Sequence, residues 1–577
     1  MIYCLAEAVR QRTRIWLSGA SSLTIHSDAS QGRLLVRGQM CGHDLCPRYC
    51  LLGTEILTNG PSALGISDAI MRALRDLATP LCSSGSTTAP RASDLPALKH
   101  ICSSVEVFNA DAASDEQLAG TLAAGALAND VVGGSAPLGV FPNLKVITKD
   151  KPHGARRVTS RTWRCDPYLG RLAEEVVRGR NSICQLLQHS EVLRARYARH
   201  VHALQHNPTW AARSESLCAA KHRFDTWQKP FSRLVLTFDA VVSTAQEMHE
   251  ERRNEKVGRH AKAFLKLVDE EMLISLAMMT GAGEENLDLV RFLDSETLPT
   301  TDISAECHRF LERITVLIEH RGCLRSGHTQ YVMTLLQRER VLFIDRASKR
   351  VGGSAIDLRS VVDRCFQRFN AWLKLAREVL SAEFPQFETV QAFSALRLTS
   401  LRDRCRTSVD HERAVLTAQL TKLAQFFGLH TDSLLHEFFD HLPSAQLNFD
   451  NSASSDSLAA WRGIVSDLDA RGRRLLKNHP AETLRYVLIR AYAWGASTSG
   501  VEQQFAQCRN RQHARRNCMN ENTRRDEIFL LTTSEDTPAQ VNELCEGAAV
   551  VWTKLYGRSP VSYTHLRAHE TKAKRGW

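Results

Sequence analysis

The chain has 577 residues, 24% of them charged and 43% apolar, and it exceeds the size at which single cores usually split, so more than one structural unit is expected. No uninterrupted apolar run reaches the roughly 18 residues of a membrane span, and the N-terminus, MIYCLAEAVRQRTR, lacks the basic-then-apolar layout of a secretory signal. Sixteen scattered cysteines without such a signal point to reduced thiols rather than a disulfide framework, and a formal charge of +11 permits polyanion binding without demanding it.

Residues 1–20 read as the remnant of an upstream helix. Strands follow at Ser21–Ser30, Gly32–Met40 and Arg48–Leu57, separated by turn-like residues, and a meander is the economical reading. From Ser62 to Thr79 apolar residues recur at helical spacing, which predicts a helix. Leu81–Asp94 is rich in Ser, Thr, Gly and Pro and reads as a loop or local insertion. Strand character returns at Val105–Asp111, Ser114–Leu127 opens with a helix N-cap, and Leu144–Thr148 is another short strand. From 161 to 480 long amphipathic stretches carry apolar residues three and four apart, which predicts a helical domain. The polar run Leu447–Ala459 is the best internal linker candidate. At the far end VSYTHLRAHET (Val561–Thr571) resembles one reading frame of a sequencing-library adapter, running on to Trp577. Segment 561–577 is therefore set apart from the fold reading, and without its four basic residues and one acidic residue the formal charge falls to +8.

Carboxylates at two strand ends carry the candidate chemistry. Asp28 closes the first predicted strand and Asp111 the fourth, each followed by small residues. An acidic residue in that position is also an ordinary turn former or helix cap. Asp115 and Asp130 are rivals to Asp111, and Asp115 reads better as a helix N-terminal acid. Cys41, His43, Cys46 and Cys50 lie close together, but too tightly for paired zinc knuckles, so metal binding and a plain hairpin loop are both open.

The segment STSGVEQQF (Ser497–Phe505), which follows the apolar run LRYVLIRAYAWGA (Leu484–Ala496), puts Glu502 on a helix. It resembles the C-terminal signature of the hAT superfamily of cut-and-paste DNA transposases. The resemblance implies an RNase H-like core, and three strands, a helix, a strand, a helix and a strand are the order expected of its first part. Other α/β domains begin similarly. The fold class expected is α/β plus α: an RNase H-like mixed sheet (21–160) split by a large all-α insertion (161–480), ending in a C-terminal part with a helical dimerisation region (481–560).

In such a sheet the first and fourth strands are neighbours, so the resemblance implies that Asp28, Asp111 and Glu502 form a catalytic and metal-binding triad. Adjacent carboxylates repel and stay ionised together when a cation joins them. Hard oxygen ligands with a phosphate substrate favour Mg²⁺ or Mn²⁺. Two ions roughly 3.5–4 Å apart would serve an in-line displacement.

Further matches extend the resemblance. DKPHGARR (Asp150–Arg157) stands where the family carries a short motif ending in His; Asp150 replaces its usual Cys and His153 matches. RFDTW (Arg223–Trp227) resembles the Arg-Trp segment of the inserted domain, where Trp227 would pack against distorted DNA or, alternatively, anchor a core. His153, Arg156, Arg157 and Arg223 are expected at DNA. The basic stretch carrying Arg509, Arg511, Arg515 and Arg516 would meet phosphates or form a solvated helix face. Gln503 and Ala506 depart from the family's common Arg and Ser, and the zinc-finger module the family usually carries is not found.

The implied function is metal-dependent DNA cleavage and strand transfer on double-stranded DNA by a homo-oligomeric nuclear protein that no membrane holds. The alternative is a non-catalytic, domesticated DNA- or protein-binding protein.

Overall fold

The computed structural model describes residues 2–30, 32–58, 60–79, 96–111, 113–124, 140–204, 217, 224–295, 297–353, 357–384, 387–399, 409–452, 456–472, 481–495, 497–511, 520–533 and 536–556. Two compact units divide the chain: Met1–Asp150 with Ser295–Ser304 and Gln386–Trp577, and Lys151–Asp294 with Ala305–Pro385. The sheet-bearing unit thus includes helices between 387 and 472 that the sequence reading grouped with the insertion.

The first unit opens with helix α1 (Ile2–Ser18) and strands β1 (Ala20–Ser30), β2 (Arg33–Gly42) and β3 (Arg48–Ile56). Helices α2 (Ala63–Ala78) and α3 (Pro96–Ser104) precede β4 (Val105–Ala110), and α4 (Ser114–Ala123) leads to β5 (Val146–Lys149). The strand bounds fall close to those expected, because each strand is a run of β-branched and aliphatic residues stopped by turn formers, whereas the short helix α3 was not expected from the sequence. Gly32, at φ +73°, supplies the left-handed residue in the tight β1–β2 connection.

The five strands form one mixed sheet in the order β3-β2-β1-β4-β5. β1 pairs antiparallel with β2, from Ala20 opposite Gly42 to Ser30 opposite Arg33. It pairs parallel with β4, ending at Ser27 opposite Ala110, and β4 pairs parallel with β5. Alternation then assigns the two faces. Leu23, Ile25, Leu34, Val36, Phe108 and Ala110 pack under α2, α3 and α4. Thr24, His26, Asp28, Leu35, Arg37, Gln39, Val107 and Asn109 belong to the opposite face.

That opposite face meets the C-terminal helices. Val107 and Val146 join a cluster with Leu420, Trp461, Leu484 and Trp494. Leu35 and Leu51 join Val9, Val501, Phe505 and Phe529. The Glu482–Ala493 helix is locked to β4 by a buried ion pair, Arg490 to Glu106 at 2.6 Å, with Ser22 Oγ donating to the other Glu106 oxygen at 2.7 Å.

The second unit is helical from Lys151–Cys165 to Leu358–Glu383. Its core buries Trp163, Phe231, Phe369 and Trp372, and Trp372 Nε1 donates to Thr162 Oγ1 at 2.6 Å. One antiparallel hairpin interrupts it, β6 (Arg340–Ile344) and β7 (Ala347–Val351). The amphipathic spacing of this region predicts helix throughout, and the hairpin departs from it.

The α/β plus α class expected of the chain is thus observed as a five-stranded mixed sheet with many helices. The linker placed at Leu447–Ala459 needs correction. The Thr431–Asn451 helix runs through its first residues and the Ser457–Gly472 helix takes its last. Asp456 Oδ1 caps the second of these, accepting from the N–H groups of Leu458 and Ala459 at 3.0 and 3.2 Å. Among the described residues no disulfide links the cysteines, and no helix is long and apolar enough to cross a membrane.

Candidate functional site

The parallel β1–β4 pair brings two of the sequence-predicted carboxylates to one place. Ser27 lies opposite Ala110 in the last registered step of the β1–β4 ladder, so Asp28 and Asp111 are the next residue on each side, Asp111 just past β4 and Asp28 still paired with Leu35 of β2. They share the face on which His26 and Asn109 meet, one step back, with Nδ1 and Nδ2 3.1 Å apart. Both aspartates are half-buried.

A third carboxyl stands beside them. Glu116, in the first turn of α4, is only 6% exposed, whereas its neighbour Asp115 is exposed, as a helix N-terminal acid should be. Burial pushes the Glu116 carboxyl up to about 8, and the charges of Asp28 and Asp111 push the same way, against main-chain N–H groups of Asp111 and Ala29 directed at it. Its Oε2 has no hydrogen-bond partner among the described residues. The next residue, Gln117, donates from Nε2 to the Asp111 carbonyl at 3.0 Å, with the Ala110 and Thr148 carbonyls at 3.4 Å. In the sequence Asp115 and Glu116 carry the same local signal of a first-turn acid, so nothing local singles out Glu116. Asp130 lies outside the described residues.

Glu502 sits half-buried in the first turn of the Ser499–Arg511 helix, its N–H closing the turn on the Thr498 carbonyl at 3.1 Å. The helix packs on the face that carries Asp28. Val501 and Phe505 share an apolar cluster with Leu35, the residue opposite Asp28 in β2, and Gln504 Oε1 accepts from Arg37 at 2.9 Å. Asp150, just past β5, holds the helix start: its Oδ1 accepts from Thr498 N at 2.6 Å and Thr498 Oγ1 at 2.9 Å. The chain reaches this helix through Gly495, where a Cβ would stand 2.2 Å from His26 Cε1. Only glycine fits so close an approach.

His26 is the neutral centre of this face. Burial pushes its imidazole down to about 4, helped by the Arg37 guanidinium and opposed by Asp150 and Gln39.

Asp28 and Asp111 belong to this face or its edge and Glu502 to the helix that packs on it, yet among the described residues no group of three or more His, Cys, Asp or Glu side chains is arranged to hold a metal ion. That holds also for Cys41, His43, Cys46 and Cys50. Cys41 is buried, its thiol pushed up to about 12 chiefly by burial, and Asp44 organises the turn by accepting from Cys46 N at 3.2 Å and pairing with Arg48 at 2.5 Å.

The residues expected at DNA are less gathered. His153 and Arg156 are half-buried on the Lys151–Cys165 helix of the second unit. Arg157 pairs with the buried Glu383 at 3.0 Å, and Arg161 bonds the other oxygen of the same carboxylate. Arg223, Arg515 and Arg516 lie outside the described residues, as do the side chains of Trp227, Arg509 and Arg511.

No protein-family model matches the chain, and no curated protein matches it.

Proposed function

We propose that the chain is the core of a hAT-like cut-and-paste DNA transposase, or a decayed remnant of one, which cleaves DNA and transfers strands with the help of divalent metal. The observation that carries this reading is that Asp28 and Asp111 each follow the last registered pair of the adjacent parallel strands β1 and β4, on the sheet face on which the helix that bears Glu502 packs. The strand order β3-β2-β1-β4-β5, with β1 and β4 as neighbours, supports an RNase H-like reading of the sheet.

The donor set fits Mg²⁺ or Mn²⁺, because every candidate ligand is a hard carboxylate oxygen. Asp28 and Asp111 would hold the ion between them, and Glu502 would approach from the helix above. A bound ion would activate an attacking oxygen and stabilise the leaving one. The chain's own part is to fix the two aspartates on hydrogen-bonded strands and to keep His26, behind them, uncharged. Double-stranded DNA and a second copy of the chain, in the nucleus, are the partners this reading entails.

The test is Mn²⁺-dependent nicking of supercoiled plasmid by the full chain, alongside D28N, D111N and E502Q. Nicking by the wild type that each substitution lowers by at least about 100-fold supports the assignment; equal nicking by wild type and all three variants sinks it. A second reading, a non-catalytic DNA- or protein-binding descendant, is favoured by the lack of any ready three-ligand group among the described residues. DNA binding by a wild type that nicks nothing, unchanged in D28N, would select it.

A further inference from the structure

We propose that the Lys256–Leu267 helix and the β6–β7 hairpin of the second unit form a docking face for a single strand of nucleic acid, the basic side chains of the helix meeting phosphates and Phe343 offering its ring to an unpaired base. The face belongs to a unit other than the one that holds the strand-end aspartates, so the inference does not rest on their reading as metal-holding carboxylates.

Residues 252–266 and 340–351 hold ten Arg and Lys against two acids, Glu255 and Asp345, a surplus as large as the +8 of the whole chain without segment 561–577. Helical spacing concentrates it. Lys256, Arg259, Lys262 and Lys266 follow one another three or four residues apart and so share one side of the helix, while Gly258, Ala261, Phe264 and Leu265 are buried on the other. Like charges at that spacing destabilise the helix that carries them, so the row needs a reason. Burial pushes the His260 imidazole down, and the charges of Lys256 and Arg259 push it the same way.

The hairpin is tied to this helix. Its turn residue Asp345, left-handed at φ +57°, pairs with Lys262 and, at 3.4 Å, with Arg253, and its N–H donates to His249 Nε2 at 3.2 Å. Lys349 Nζ donates to the Lys266 carbonyl at 2.9 Å. Arg252, Arg340 and Arg350 are occupied by Glu255, Asp239 and Glu339. Lys256, Arg259, Lys266 and Arg346 are exposed and have no ion-pair partner among the described residues. On the outer face of the hairpin Phe343 stands opposite Ser348 and Val341 opposite Arg350, and Phe343 is 57% exposed. A membrane would need the apolar side of the helix, which the core of the unit already holds. An exposed ring beside cations fits an unstacked base instead.

The experiment titrates the full chain, without divalent metal and at several salt concentrations, into a labelled single strand of mixed sequence, about 16 nucleotides long, and into its duplex, reading fluorescence anisotropy. The variant K256Q/R259Q/K266Q is expected to bind the single strand at least about 10-fold more weakly than wild type and to reduce the log-log salt slope by about 2, each phosphate neutralised on a single strand contributing about 0.7. F343A is expected to weaken single-strand binding by about 10-fold and to leave the slope unchanged. R325Q/R359Q/K374Q, which removes exposed cations elsewhere in the same unit, is expected to match wild type. If the first variant melts early, R259Q alone replaces it, with a slope change of about 0.7. Wild-type affinity and slope in K256Q/R259Q/K266Q, or equal losses in R325Q/R359Q/K374Q, overturn the face. F343A that binds the single strand as tightly as wild type overturns the base contact. Vesicles of phosphatidylserine and phosphatidylcholine that bind the wild type but not K256Q/R259Q/K266Q, with neither nucleic acid bound, assign the face to a membrane and overturn the proposal. A wild type that binds the strand through this face yet nicks no plasmid supports the face and loses only the metal reading.

Discussion

Asp150, at the end of β5, accepts both the N–H and the hydroxyl of Thr498, 348 residues later in the chain, and so ties the sheet to the first turn of the helix that carries Glu502. The pair is buried, and its acceptor is a carboxylate, so each bond is of the stronger, charge-assisted kind. D150A is expected to cost about 2–4 kcal/mol and T498V about 1–2 kcal/mol. A double-mutant cycle by denaturant unfolding should return a coupling of about 1–2 kcal/mol. Additive effects would mean that the contact does not hold the helix.

The buried ion pair of Arg490 and Glu106 makes a second tie between sheet and C-terminal helices. Removing one partner strands the other charge in the core, and Arg490 has only Tyr486 and Phe427 rings and the Tyr486 carbonyl as further company among the interactions described. E106A should therefore destabilise by about 3–5 kcal/mol in thermal or urea unfolding. A loss below about 1 kcal/mol would show that water reaches the pair.

Gly495 lets the chain pass over His26. G495A introduces a methyl where only about 2 Å is free, against the imidazole and the Gln39 amide oxygen. The expected cost is about 1–3 kcal/mol, and H26A in the same chain should recover part of it. Failure of H26A to recover any would place the clash elsewhere.

His26 also sets a pH dependence. Its folded-state value, about 4, lies below the ordinary 6.5, because burial and Arg37 disfavour the charged ring. The unfolded chain therefore binds the proton first as pH falls. Stability from this group is complete above about 6.5 and is lost between there and about 4. Relative to H26Q, the wild type should lose on the order of 3 kcal/mol across that window. Parallel stability profiles for the two would refute the assignment.

Asp28 and Asp111 repel each other when no cation joins them. Without divalent ions, D28N and D111N are each expected to stabilise the protein, on the order of 1 kcal/mol. Saturating Mn²⁺ should reverse the order, stabilising the wild type alone through binding to the folded state. The same melting curves with and without Mn²⁺ in the wild type would remove the metal from this pair.

The sequence by itself determined the strands and most helices of residues 2–149, since alternation, turn formers and caps act over a few residues and are written locally; the short helix Pro96–Ser104 is the exception. It also placed Asp28 near the end of β1 and Asp111 just past β4, because where a strand stops is a local property. Tertiary structure decided the rest. Amphipathic spacing says that a helix has an apolar face, but not which surface that face meets, so the helices between 387 and 472 joined the sheet unannounced. The hairpin of β6 and β7 was lost among helical patterns although RVLFI alternates exposed and buried residues. The polar run Leu447–Ala459 was read as linker because a solvated helix end and a loop share a composition. Asp115 and Glu116 stand next to each other with the same local signal. Only the packing of α4 on the edge of the sheet turned one to solvent and the other in against Asp28 and Asp111.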